Sequence, residues 1–173
     1  LKKINKLEDA IESLNQAIKI KPDFIQAYNR RGHLLVELNQ LDDALENFNK
    51  AIEINPNFAE AYNNRGNILN KLNRHTESIE SYDKAISINP NFAEAYNNRG
   101  GVQKDLKLYE AAHESYEKAI KIKPNLDFLL GSLIYTKLHL CNWKSFNENL
   151  KKIEENIIKG NNSLTPFSSL LFL

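Results

Sequence analysis

The chain has 173 residues, 42% hydrophobic and 26% charged, the composition of an ordinary folded protein. Its 23 Lys and Arg against 22 Asp and Glu leave a formal net charge of +1, which argues against a nucleic acid or an anionic membrane held by bulk electrostatics. One cysteine, Cys141, rules out an intrachain disulfide and a cysteine-based metal site, and no window of 18 apolar residues offers a membrane span.

The N-terminus, Leu1-Lys2-Lys3-Ile4-Asn5, lacks the apolar core of a signal peptide, and methionine is absent even at position 1. The sequence therefore reads as part of a longer polypeptide, with any targeting signal outside it. A single free cysteine fits a reducing compartment, and a cytoplasmic location is the expectation.

The first predicted element is a helix over Leu7–Ile20, the second half of an incomplete hairpin at 1–24. A period then takes hold: Pro22, Pro56, Pro90 and Pro124 each stand 34 residues after the last. Tyr28, Tyr62 and Tyr96 keep that period, as do Gly32, Gly66 and Gly100, and Ala17, Ala51, Ala85 and Ala119. The block Asn55-Pro-Asn-Phe-Ala-Glu-Ala-Tyr-Asn-Asn-Arg-Gly66 recurs unchanged at Asn89–Gly100. Self-similarity at this spacing predicts a helical repeat array, with units at 25–58, 59–92 and 93–126.

Each unit reads as two helices. In the middle one the first runs over Ala59–Leu72, with Ala61, Tyr62, Ile68, Leu69 and Leu72 on an apolar stripe. The turn Asn73-Arg74-His75 follows, then a second helix over Glu77–Ile88 whose Ile79, Tyr82, Ala85 and Ile86 face inward. Pro90 ends it. The pairs Asn57…Glu60, Asn91…Glu94 and Asp23…Gln26 have the spacing of capping boxes. Gly32 with Ala44, Gly66 with Ser78 and Gly100 with Ala112 predict close approach of the two helices, with Phe48, Tyr82 and Tyr116 filling space toward the hairpin base.

This pattern of Tyr62, Gly66, Ser78, Tyr82, Ala85 and Pro90, echoed in both neighbours, resembles the tetratricopeptide repeat. The resemblance covers residues 1–126. It implies an all-α, right-handed superhelical solenoid of antiparallel helix pairs, with the first helix of each repeat lining a concave face. Placed on that face are Asn29, Arg30 and His33, then Asn63, Asn64 and Asn67, then Asn97 and Asn98, with Asn70, Lys71, Lys104 and Asp105 further along. An amide donates and accepts at once, so a column of asparagines suits the backbone of an extended peptide. The alternative is that these side chains are merely solvated and reflect an asparagine-rich composition; recurrence in register favours the peptide. A chaperone-type carboxylate clamp is not expected, since its Lys and Arg positions hold Asn29, Glu94 and Asn98. Arg31, Arg65 and Arg99 read as structural, each laying its stem on a neighbouring helix and pairing with a carboxylate.

After Pro124 the repeat decays into a divergent capping hairpin at 127–160, with one helix ending near Leu140 and another over Trp143–Lys159 closed by Gly160. The last stretch, 161–173, reads as an apolar tail or a linker toward an absent domain. The run Leu130-Gly-Ser-Leu-Ile-Tyr-Thr-Lys-Leu-His-Leu-Cys-Asn-Trp143, with Phe146, Ile153, Ile157, Gly160 and Pro166-Phe167-Ser168, resembles the junction of O-linked N-acetylglucosamine transferases of the SPINDLY-like group. There the repeats carry an asparagine ladder, matched by Asn64 and Asn98 but not by Arg30, and recruit the polypeptide substrate. That resemblance implies a substrate-recruiting region without its catalytic domain; the bland reading of Cys141-Asn142-Trp143 is a corner with a buried indole.

Neither a P-loop nor a G-x-G-x-x-G motif occurs, the four histidines lack metal-ligand spacing, and no nucleophile elbow is present. His75 and His113 read as hairpin residues, and only His33 reaches toward the groove. The expectation is no catalytic residue, no metal and no cofactor. The partner is a protein or peptide rather than nucleic acid or membrane, with homo-oligomerisation through terminal surfaces left open. The alternative function is a free-standing adaptor with no transferase connection.

Overall fold

The computed structural model describes residues 2–124 and 129–140. Among them are eight α-helices and no strand. The helices are α1 Lys2–Ile20, α2 Ile25–Glu37, α3 Leu41–Ile54, α4 Ala59–Lys71, α5 His75–Ile88, α6 Ala93–Asp105, α7 Tyr109–Ile122 and α8 Leu129–His139. The chain divides into two compact units, Leu1–Asn89 and Pro90–Leu173. In the first, α2 pairs with α3 and α4 with α5, while α1 lies on α2 and α3 on α4. In the second, α6 pairs with α7, and α8 packs on α7.

The tight turns come from the backbone. Asn39, Asn73 and Lys107 adopt left-handed φ values of 59°, 59° and 61°, a conformation that asparagine tolerates better than most residues. At the end of α4 the Asn73 N–H bonds the Asn70 carbonyl at 2.9 Å and the Arg74 N–H reaches back to Leu69 at 2.8 Å. That is the Schellman arrangement, which satisfies carbonyls the helix leaves open. The same pair of bonds closes α2 and α6. The predicted turn at residues 73–75 is thus shifted: His75 already begins α5, two residues before the expected start at Glu77.

The capping boxes do not form. Phe24, Phe58 and Phe92 occupy the N-cap positions, and no side chain caps α2, α4 or α6. Asn55 Oδ1 instead accepts the Asn57 N–H at 3.0 Å, holding the entry turn. Glu60 and Glu94 turn outward to other partners: Asn29 at 3.0 Å and Lys123 at 2.7 Å.

Small residues set the helix spacing, and the aromatic ring of the second helix lies directly on the glycine. A Cβ at Gly66 would come within 2.6 Å of Tyr82 Cε1, and one at Gly32 within 2.7 Å of Phe48 Cε1. Ser78 completes the contact by donating its hydroxyl to the Gly66 carbonyl at 2.8 Å. The first unit buries Leu35, Ala44, Phe48 and Ile68 in one cluster and Tyr28, Ala51 and Ala61 in another. The second gathers Tyr116, Leu129, Leu130, Leu133 and Ile134. The expected helix over Trp143–Lys159 and the stretch 161–173 lie outside the described residues.

Candidate interaction surface

The predicted site residues of the first unit sit on α2 and α4, the first helices of consecutive repeats. Their asparagines are mostly not at the surface: Asn29 is 8% exposed, and Asn63 and Asn64 are 7% exposed. A buried amide needs partners, and two of these find one another. Asn64 Nδ2 donates to Asn29 Oδ1 at 3.0 Å, while Asn29 Nδ2 donates to Glu60 Oε1 at 3.0 Å. The second amide hydrogen of Asn64 meets His33 Nε2 at 3.0 Å, which accepts when the ring carries its proton on Nδ1. His33 Nε2 also stands 3.9 Å from Glu60 Oε1, and its ring meets Phe48 edge-on with centroids 5.6 Å apart. Four side chains from two helices therefore form one network that locks α2 against α4.

Around this network the exposed groups are Arg30, His33, Glu60 and Lys71. Asn67 is half-buried, its Oδ1 accepting the Tyr82 hydroxyl at 2.8 Å, and Asn70 Oδ1 meets His75 Nδ1 at 2.9 Å. In the second unit Asn97 and Asn98 lie half-buried on α6. Lys104 is 3.5 Å from Asp105, with its ammonium 5.8 Å from the centre of the Tyr135 ring.

The arginine stripe is structural in a way its spacing does not reveal. Arg31 Nε donates to Asn47 Oδ1 at 2.7 Å, Arg65 Nε to Ser81 Oγ at 3.0 Å, and Arg99 Nε to Ser115 Oγ at 3.1 Å. Each guanidinium also lies over the tyrosine three residues earlier, 5.1–5.4 Å from its ring centre. Where a carboxylate was expected, the Nε partner is a neutral oxygen on the second helix of the same repeat. The polar residues at 47, 81 and 115 keep the 34-residue period and were the visible signal for this pairing.

Among the described residues no group of three or more His, Cys, Asp or Glu gathers to hold a metal, and no helix is long and apolar enough to cross a membrane. The surface consists of polar and charged side chains held on a rigid pair of first helices, suited to hydrogen bonding.

Antiparallel helix pairs recurring every 34 residues, each seating a ring on a glycine, define a helical-repeat protein. The family model described as "TPR repeat" matches residues 1–36 and 32–73, and that described as "Tetratricopeptide repeat" matches 59–92 and 93–126. The chain belongs to the tetratricopeptide-repeat family. No curated protein matches it by sequence. Among solved structures, MamA superposes with a TM-score of 0.79 at 24% identity, covering 88% of this chain and 92% of that one. YrrB, described as having an unusual peptide-binding site, reaches 0.69 at 20% identity over 88% and 78%. The first repeat domain of Spaghetti (RPAP3), solved with the HSP90 peptide SRMEEVD, reaches 0.66 at 20% identity over 68% and 93%. At these identities the likeness establishes the fold, an all-α tetratricopeptide-type solenoid.

Proposed function

We propose that this chain is a non-catalytic protein-interaction scaffold that binds an extended peptide along the first helices of its repeats. The observation that carries the reading is the Asn29–Asn64–His33–Glu60 network, which fixes α2 against α4 and presents Arg30, His33 and Lys71 outward. A surface ordered before its ligand arrives avoids an ordering cost on binding. Asn97, Asn98 and Lys104 occupy α6, the first helix of the next repeat, and are assigned the same role. The peptide described with Spaghetti and the peptide-binding site described for YrrB are consistent with this use of the fold.

The experiment is a peptide array of unrelated extended sequences, followed by titration of the best binder in solution. Arg30→Ala with Lys71→Ala is expected to weaken that binder about tenfold, a loss of about 1.4 kcal/mol. Unchanged affinity in this double variant and in Asn64→Ala would sink the proposal. The peptide SRMEEVD is expected not to bind, because Asn29, Glu94 and Asn98 stand at the carboxylate-clamp positions. The narrower reading, the substrate-recruiting region of an O-GlcNAc-transferase-like enzyme, rests on the sequence resemblance over 126–168, and none of the comparisons supports it.

A further inference from the structure

The pairing of Arg31 with α3 uses only part of its guanidinium. Arg31 stands two residues from both Asn29 and His33, about 200° around α2, and so on the opposite side of that helix from the asparagine network. There α1, α2 and α3 enclose a cleft of about 430 Å³, with Asn15, Arg31, Asp43, Glu46, Asn47 and Lys50 among its walls. Arg31 Nε donates to Asn47 Oδ1 and its Nη1 to Asn15 Oδ1, both at 2.7 Å. Each amide is pinned from its other end: Asn47 Nδ2 donates to the Asp43 carbonyl at 2.8 Å, and Asn15 Nδ2 to Glu12 Oε2 at 3.2 Å. The guanidinium is thereby held over Tyr28, 5.4 Å from its ring centre.

Its charge has no counterion at bonding distance. Both partners are neutral amides, no carboxylate among the described residues bonds Arg31, and its Nη2 bonds none of them. A half-buried guanidinium held rigid with outer N–H groups open is suited to a carboxylate, whose oxygens match the fork. The rim carries the opposite charge: Asp43 and Glu46 are exposed, while Lys50 is bonded to Glu53 at 2.8 Å. Two rim carboxylates repel a dianion and attract cations, so the pattern calls for one carboxylate with positive charge beside it. The same frame recurs 34 residues on, where α3, α4 and α5 enclose a cleft of about 210 Å³ with Asn49, Arg65, Glu77 and Glu80 at matching positions. Arg65 Nε meets Ser81 Oγ, and no carboxylate bonds it either. In that cleft Arg74 stands in place of Gln40 and closes on Glu77 at 2.6 Å, so the Arg31 cleft is the more open of the two.

We propose that the Arg31 cleft binds an acidic side chain of a partner protein, in a segment where basic residues flank it. The carboxylate bonds the open Nη groups of Arg31, and the flanking cations meet Asp43 and Glu46. The charged rim runs along α3 from Asp43 to Lys50, about two helical turns or roughly 10 Å. A free carboxylate is too short to use that length, so the occupant is a peptide segment rather than a small acid. The site shares no residue with the peptide surface proposed above and does not rest on it.

The probe is the end-blocked peptide Lys-Ala-Glu-Ala-Lys, titrated into the isotope-labelled full chain and followed by NMR at the Arg31 Nε–H and the side-chain amides of Asn15 and Asn47. Saturable shifts of these signals are expected. Lys-Ala-Gln-Ala-Lys, which keeps the shape and flanks without the carboxylate, should bind about tenfold more weakly. Glu-Ala-Glu-Ala-Glu should bind about threefold more weakly than the first peptide, because its flanks face the acidic rim. Asp43→Asn with Glu46→Gln, both at exposed positions, should level those two peptides. Arg31→Gln should abolish the shifts of Asn15 and Asn47; should that variant not fold, the rim variant still decides. Absence of saturable shifts overturns the proposal, as does equal binding of the glutamine peptide or a flank preference that survives neutralisation of the rim. Acetate or inorganic phosphate moving the Arg31 signal as far as the peptide at equal concentration also overturns it, by assigning the cleft to a free anion.

Discussion

Two adjacent glycines on α6 meet opposite surroundings. A Cβ at Gly100 would lie 2.8 Å from Tyr116 Cε1, in a ring only 2% exposed that has nowhere to retreat. A Cβ at Gly101 would meet nothing within 4 Å. Gly100→Ala therefore overpacks the hairpin and is expected to cost about 1–3 kcal/mol. Gly101→Ala removes a helix-weakening residue at no steric cost and is expected to stabilise by about 1 kcal/mol. Chemical denaturation should move the two midpoints in opposite directions. A shift of both in the same direction would mean that backbone propensity, not the ring contact, governs these sites. The 34-residue recurrence of Gly32, Gly66 and Gly100 made close approach legible from the sequence. Which residue approaches was harder to read: the small partner lies twelve positions on, but the closest atoms belong to the aromatic sixteen on.

Each second helix is bound to its first by that aromatic residue, and in the α4–α5 hairpin the bond is also polar. Tyr82 is 1% exposed and donates its hydroxyl to Asn67 Oδ1 at 2.8 Å. Burial pushes its pKa up to about 12, against about 10 for an unfolded tyrosine. Burial pushes Tyr116 upward too. Between pH 10 and 12 the unfolded chain has released protons that the folded chain still holds, so stability falls as pH rises through that window. Below pH 10 the contribution is fully present. Denaturation at pH 8, 10 and 11.5 should show the decline, and Tyr82→Phe should make it shallower; an unchanged slope in the variant would assign the alkaline loss elsewhere. At this scale the apolar periodicity placed the helices of the repeats, but not how they begin and end. The predicted capping boxes need Asp23, Asn57 and Asn91 at the N-cap, but Phe24, Phe58 and Phe92 stand there, and before α4 the entry turn is held by an Asx turn at Asn55 instead. For the same reason of context, the asparagine register was visible while its burial was not. Whether an amide faces water or a neighbouring amide depends on how close α4 comes to α2, which no single helix encodes.

In a repeat array each element is stabilised mainly by its immediate neighbours, so stability varies along the chain. Within the first unit, α3 packs on both α2 and α4, and α4 on both α3 and α5, whereas α1 packs chiefly on α2. Ala10, Leu14 and Ala17 of α1 are half-buried, whereas their counterparts on α3 and α5 are buried. Local opening costs least where few apolar contacts are lost. Amide hydrogen exchange is therefore expected to be fastest in α1 and slowest in α3 and α4, with the Asn29–Asn64 lock adding to the protection of α2 and α4. Uniform protection across α1–α4 would mean that α1 opens only when the whole unit does. In that event the sparser packing of α1 does not set how readily it opens.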